Sequence, residues 1–197
     1  MKTEKEIKEI KSNINYYLKD GLFKKIEYDH LTEFYLENAK KSLATSEALK
    51  QLSNDVNLKK LFNLLDDFET YLWVITTSYY SMFYAVNALF SKNGIKIGDK
   101  IAHKVTSDVF YFYFIKNNKI AKRLFEIYEE IKDEALDLTD NKYIKVADEL
   151  SNNLDFEREK RHKFQYNMLE SIKKSYAETS LKRAIEFVNQ IEVIIKS

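Results

Sequence analysis

The scarcity of turn-forming residues constrains this chain more than any other feature. Its 197 residues contain no proline and only three glycines, Gly21, Gly94 and Gly98. A β-sandwich or a doubly wound α/β sheet needs many more such residues for its turns. Glycine-rich phosphate loops are excluded as well, because neither G-x-G-x-x-G nor a Walker A string occurs. The composition, 45% hydrophobic and 32% charged, is typical of a globular, mostly α-helical protein.

The cysteine content and the charge balance exclude several classes of function. The chain has no cysteine, so disulfides, thiolate zinc ligands and thiol nucleophiles are excluded. Lys and Arg together number 32 against 31 acidic residues, and this balance implies no bulk attraction to nucleic acid or to acidic lipid; any such site must be local. The first ten residues hold no apolar signal region. We therefore expect a cytoplasmic protein.

One uncharged segment is long enough to cross a bilayer. No residue between Glu69 and Lys92 carries a charge. The segment nevertheless contains several threonines, serines and tyrosines, and their insertion cost largely cancels the contribution of the apolar residues. We interpret it as the central helix of a bundle, buried on all sides, and expect no membrane partner.

Hydrophobic periodicity predicts seven or so helices and no strand. The second helix is expected to turn Leu31, Phe34 and Tyr35 toward one side. Ser175-x-x-Glu178 has the pattern of a capping box and is expected to open the last helix, which continues to about residue 195. Asn93-Gly94 is expected to end the central helix. The predicted helices before the last one span 3–19, 29–53, 55–65, 67–92, 102–116, 119–138 and 142–169.

A charged cluster in the predicted helix 142–169 is the strongest candidate for chemistry. Four side chains crowd one side of it, because residues three and four apart share a helix face: Arg158, Arg161, His162 and Tyr166. The guanidinium groups can clamp a phosphodiester and stabilise charge on phosphorus. His162 can transfer a proton at neutral pH. When RNA supplies its own 2′-hydroxyl as the nucleophile, no metal and no cofactor are required.

Two other interpretations of the same helix stay open. Arg158 and Arg161 can simply pair with acidic neighbours or with the acidic face of the helix 119–138, as charged helical runs usually do. Alternatively, Glu159-x-x-His162 and Glu27-x-x-His30 have the i, i+3 spacing of di-metal carboxylate bundles. The predicted inner helix offers no carboxylate to such a site, so we expect no metal.

A longer stretch resembles a known family. Residues 78–90 read SYYSMFYAVNALF and are followed by Gly94 and by His103-Lys104. This pattern resembles HEPN domains, whose first core helix often reads like YYAMFYAARALL before a glycine and a His-Lys pair. The resemblance continues in residues 158–166 and in the last helix, and it covers roughly residues 30–195.

The resemblance implies a fold and a set of partners. The fold is all-α, an antiparallel four- to five-helix bundle over residues 26–197, preceded by an N-terminal helical arm over residues 1–25. Such domains form homodimers. Many are metal-independent endoribonucleases, some are toxins paired with a small nucleotidyltransferase antitoxin, and others are non-catalytic modules that bind RNA, nucleotide or protein.

The family's catalytic signature is only partly present. It consists of an Arg, four to six residues and a His, contributed by both subunits at the dimer interface. Three residues separate Arg158 from His162, and the residue at the right distance from Arg161 is Tyr166. We therefore expect first a HEPN-type RNA- or nucleotide-binding module of a toxin–antitoxin or defence system. The alternative is a metal-independent endoribonuclease, and a further alternative is a structural or di-metal bundle.

Overall fold

The computed structural model describes residues 2–26, 30–139 and 170–197. The described residues are mostly helical and form an all-α helical bundle with an additional N-terminal helix, as the sequence predicts. Its elements in chain order are α1 (Glu4–Lys19), β1 (Phe23–Lys25), α2 (Thr32–Asn54), α3 (Val56–Leu61), α4 (Tyr71–Lys92), β2 (Ile95–Ile97), α5 (Ala102–Phe110), a π-helix (Tyr111–Ile115), α6 (Lys122–Thr139) and α7 (Glu170–Lys196).

The uncharged segment forms α4, the centre of the bundle. It packs against α2, α6 and α7, and most of its side chains are buried. Asn93 and Gly94 end the helix as predicted, since Gly94 adopts φ +65° there. Among the described residues, no helix has the length and apolar character needed to cross a membrane.

The predicted side of α2 is divided between core and solvent. Phe34 is 55% exposed, whereas Leu36, Ala39 and Ser46 are buried and Tyr35 packs against the core. A pair of buried hydroxyls joins α2 to α4. The Ser46 hydroxyl donates to the carbonyl oxygen of Val74 and lies 2.8 Å from the Ser78 hydroxyl. These hydrogen bonds remove the cost of burying the hydroxyls, and a hydropathy pattern cannot anticipate them.

Two short strands correct the prediction of a strand-free chain. β1 and β2 pair antiparallel, with Lys24 opposite Lys96. Two further backbone bonds extend the ladder, from Ile26 N–H to Gly94 O and from Gly98 N–H to Leu22 O, each 2.8 Å. Three-residue strands carry too little sequence pattern to be recognised, and their pairing joins segments about 70 residues apart.

The structure places a capping box at the start of α1 but not at Ser175. The Thr3 hydroxyl and the Glu6 carboxylate form a capping box that opens α1. The predicted capping box of Ser175 and Glu178 is wrong, because α7 begins at Glu170 and Ser175 lies inside the helix. A Ser-x-x-Glu pattern marks a helix start only where the preceding residues are not helical, and the residues before Ser175 are helical.

Buried polar contacts attach α1 to the bundle. The Asp108 carboxylate on α5 accepts hydrogen bonds from the Tyr17 hydroxyl (2.9 Å) and the Asn13 amide (3.1 Å). Ile10, Ile14 and Tyr17 are buried, while Leu18 is 42% exposed. The side of α1 that carries residues 10, 14 and 17 therefore faces the bundle.

Candidate functional site

The residues first proposed for catalysis lie outside the described part of the structure. Arg158, Arg161, His162 and Tyr166 all fall in residues 140–169, as do Glu159 and the rest of the helix predicted over 142–169. Glu27 of the di-metal alternative is also outside the described ranges. Within residues 2–26, 30–139 and 170–197, no three His, Asp or Glu side chains are grouped so as to hold a metal ion.

The third histidine, His103, lies in a cluster of aromatic rings at the start of α5. We call His103, Tyr79, Tyr80 and Phe83 the His103 cluster. Ring centroids of the three α4 residues lie 5.5, 5.8 and 4.8 Å from the imidazole, in that order. They come together because positions 79, 80 and 83 fall on neighbouring sides of one helix, while the β2 strand and the loop after it return the chain to that helix.

A hydrogen bond to Tyr79 holds the imidazole in place. The Tyr79 hydroxyl lies 2.7 Å from His103 Nδ1. Burial raises the pKa of this hydroxyl well above its usual range, so it keeps its proton. The donor and acceptor roles in this bond follow from the tautomer of the imidazole. A ring nitrogen held by a hydrogen bond is common in histidines that bind a ligand or transfer a proton.

Tyr128 closes the inner side of the cluster. Its ring centroid lies 6.0 Å from that of Tyr79, and its side chain is fully buried. Burial, together with the nearby Tyr79, raises the pKa of the Tyr128 hydroxyl. Within the described part of the chain, this hydroxyl has no hydrogen bond of ordinary geometry. Aromatic rings therefore lie behind the Tyr79 side of the cluster, with the Glu129 and Asp133 carboxylates near enough to raise the pKa of the Tyr79 hydroxyl further.

The backbone before His103 is strained. Ile101, which precedes α5, has φ +45°, a left-handed conformation that β-branched residues rarely adopt. No described side chain caps this helix end, so the positive end of the α5 dipole lies at Ala102 and His103. Strained residues of this kind concentrate at functional sites, and an uncapped helix start favours an anion.

The outer side of the cluster continues along α4 as an exposed aromatic face. Trp73 is 63% exposed and Tyr80 is 38% exposed, and Tyr84 is half-buried with its ring centroid 6.4 Å from that of Tyr80. Positions 73, 80 and 84 share a helix face because they are spaced by seven and four residues. This face offers flat rings beside the imidazole of His103.

The sequence contained one signal for this cluster. His103 by itself is uninformative in the sequence, and the prediction of a chemical site depended on the charged residues 158–166. Yet Tyr79, Tyr80, Phe83 and His103 all belong to the stretch that carries the HEPN resemblance, and the structure brings these residues into contact. His30, the remaining histidine, lies exposed just before α2, as expected.

The comparisons with known proteins add no further constraint. A scan against protein-family models found no match, and searches of curated proteins and of solved structures found none. The functional argument therefore depends on the residues themselves.

Proposed function

We propose that this protein is a HEPN-type binding module for single-stranded RNA or a nucleotide, and that the His103 cluster and the exposed α4 face form its binding surface. The observation that carries the proposal is the orientation of His103 by Tyr79 beside the exposed ring of Tyr80. Such a surface suits a nucleobase, since any base can stack on an aromatic side chain. It also suits the attached phosphate, which the uncapped start of α5 favours.

The single tryptophan provides the assay. Trp73 lies two turns before Tyr80 on the exposed face, and the sequence contains no other tryptophan to obscure its fluorescence. Titration of the full chain with AMP and with a 12-nucleotide oligoadenylate should quench this emission in a saturable way. Absence of saturable quenching with both ligands at millimolar concentration would contradict the proposal.

Matched variants locate the binding surface. Tyr80→Ala should weaken RNA binding by about 5- to 150-fold, since stacking contributes about 1–3 kcal/mol per base. Tyr176→Ala is the control, because Tyr176 is a similarly exposed tyrosine on α7, and it should leave the affinity unchanged. Equal effects of the two substitutions would place the binding surface elsewhere.

RNA cleavage is the second candidate function, and the hydrogen bond that holds His103 in place favours it. A histidine held in this way can donate or accept a proton at a scissile phosphate. The sequence argument assigns that role to His162, with Arg158 and Arg161 on the phosphate and Tyr166 orienting it. Labelled RNA is incubated with the protein in the presence of EDTA. His162→Ala should reduce the cleavage rate by about 100-fold or more if His162 transfers the proton, and His103→Ala should do so if His103 transfers it. Unchanged cleavage in both variants would refute this function.

The expected assembly and partners rest on the sequence. We infer a cytoplasmic homodimer, since a two-fold interface would bring together the two copies of residues 158–166. A nucleotidyltransferase antitoxin is the protein partner that the HEPN resemblance favours. Sedimentation should show the dimer at about 100 µM, and a monomer at that concentration would remove the composite site. Co-expression with the neighbouring genes, followed by purification of this chain, tests the partner.

A further inference from the structure

The turn after α3 exposes three large apolar side chains. Leu61, Phe62 and Leu65 are 71%, 61% and 76% exposed, and all three lie within five consecutive residues. Single exposed apolar residues are ordinary on a protein surface, whereas several together mark an interaction surface. We call residues 61–65 the α3 turn and regard it as a docking surface.

Hydrogen bonds around a buried lysine hold the α3 turn in a compact form. Lys59 is only 5% exposed, and its Nζ donates to the carbonyl oxygen of Asp66 at 2.7 Å. The Leu64 N–H donates to the carbonyl oxygen of Lys59 at 2.9 Å, and Asn63 follows α3 with φ +54°. The chain from Lys59 to Asp66 is thus closed by a backbone bond and by a buried side chain, so the apolar side chains are presented in a fixed place.

α7 begins near the α3 turn. Lys173 Nζ, within the first turn of α7, lies 3.0 Å from the Glu69 carboxylate, and Glu69 follows Leu65 by four residues. Four residues span at most about 14 Å. Residues 140–169, which lie outside the described ranges, therefore end near this turn.

The same 30 residues also begin at this end of the bundle. Glu130 and Glu134 on α6 contact Arg183 and Ser180 on α7, at 2.7 and 2.9 Å. The two helices are antiparallel, because the later residue of α6 contacts the earlier residue of α7. After Glu134, α6 continues to Thr139, about 7.5 Å further along its axis toward the start of α7. Residues 140–169 thus leave and re-enter the described structure at the end of the bundle that carries the α3 turn.

We propose that the apolar side chains of residues 143–154 dock on the α3 turn of the same chain. Tyr143, Ala147, Leu150 and Leu154 are spaced by four, three and four residues, which puts them on one side of the helix that the sequence predicts there. A segment tethered at both ends near a surface has an effective concentration of about millimolar, so it outcompetes a second copy of the chain at micromolar concentration. This contact does not involve the His103 cluster and goes beyond the proposed function.

The absence of cysteine from the sequence allows a crosslinking test. Leu65→Cys is combined with Leu150→Cys in the full chain and treated with a short bismaleimide at about 1 µM protein, where a contact within the chain is favoured about 1,000-fold over one between chains. Val193→Cys with Leu150→Cys is the control, because Val193 is 68% exposed and lies near the other end of α7. The first pair should form a crosslink within one chain, identified by peptide mass spectrometry, and the control pair should form none.

The reaction rate of the introduced thiol provides a second measurement. In the Leu65→Cys protein, the added substitutions Leu150→Asp and Leu154→Asp should release the surface and accelerate maleimide labelling by about 10-fold or more, because burial of an apolar side chain is worth at least this factor. The same two substitutions should leave the labelling rate of the Val193→Cys protein unchanged.

Three results would overturn the proposal. Crosslinks of the first pair that form only between chains would assign the α3 turn to a second copy of the protein. Absence of a crosslink within the chain, or equal crosslinking of both pairs, would show that Leu150 does not lie on the turn. A labelling rate at position 65 that Leu150→Asp and Leu154→Asp leave unchanged would show that residues 143–154 do not cover it.

Discussion

Replacement of Gly94 by alanine should destabilise the protein far more than the same replacement at Gly21. Both glycines have positive φ, +65° and +71°, a conformation that costs an L-residue about 1–2 kcal/mol. The environment differs. A Cβ at Gly94 would lie 2.4 Å from the carbonyl oxygen of Ile26, which is backbone, whereas at Gly21 the nearest atom is a flexible lysine carbon 3.9 Å away.

The expected magnitudes follow from this difference. For Gly21→Ala, strain is partly offset by the smaller entropy of the unfolded chain, so we expect a loss of about 1 kcal/mol. For Gly94→Ala, the strands must separate at the bond from Ile26 N–H to Gly94 O, which is 2.8 Å long. Loss of a buried backbone bond adds about 1–3 kcal/mol, so the expected total is about 2–4 kcal/mol.

Urea unfolding monitored by circular dichroism measures both losses. Asparagine variants separate the two causes, because asparagine tolerates the left-handed conformation but still has a Cβ. Gly21→Asn should be close to neutral, while Gly94→Asn should remain destabilising by at least about 1 kcal/mol. Equal losses at the two positions would refute the argument from the Ile26 contact.

Three further outcomes are expected. Leu89→Ala should lower the free energy of unfolding by about 2–5 kcal/mol because this side chain is buried on α4, and a loss under about 0.5 kcal/mol would contradict its core position. Ile101→Asn should raise stability by about 1 kcal/mol through relief of the left-handed strain, and a lower melting temperature would count against that strain. Burial by itself raises the pKa of Glu129, but Lys132, Ser107 and Lys2 outweigh it and hold the pKa below 4.5. The contribution of Glu129 is therefore complete above pH 4.5 and lost as the pH falls through the folded-state pKa. Glu129→Gln should accordingly reduce stability at pH 7, and this loss should shrink as the pH falls below 4.5; a loss that does not change with pH would contradict this assignment.

The candidate site depends partly on local sequence and partly on tertiary contacts. The sequence supplies the tyrosines of residues 78–84 and the pair His103-Lys104, but not the hydrogen bond between Tyr79 and His103, which joins residues 24 positions apart. The position of Lys24 opposite Lys96 could not be predicted either. Lysine is abundant throughout the chain, so Lys24 and Lys96 acquire meaning only when the strand register places them opposite each other.

The sequence by itself determined the helical class and the central helix, because both depend on local properties. Absence of proline and scarcity of glycine leave few turns, and the uncharged run before Lys92 has no stable place except the core. Tertiary structure alone decided which face of α2 is buried, since Ser46 is accommodated only by hydrogen bonds that α4 provides. It also decided the pairing of β1 with β2, in which Gly94 allows two distant segments to approach within backbone contact. Such contacts depend on the relative position of elements, which no local pattern of side chains encodes.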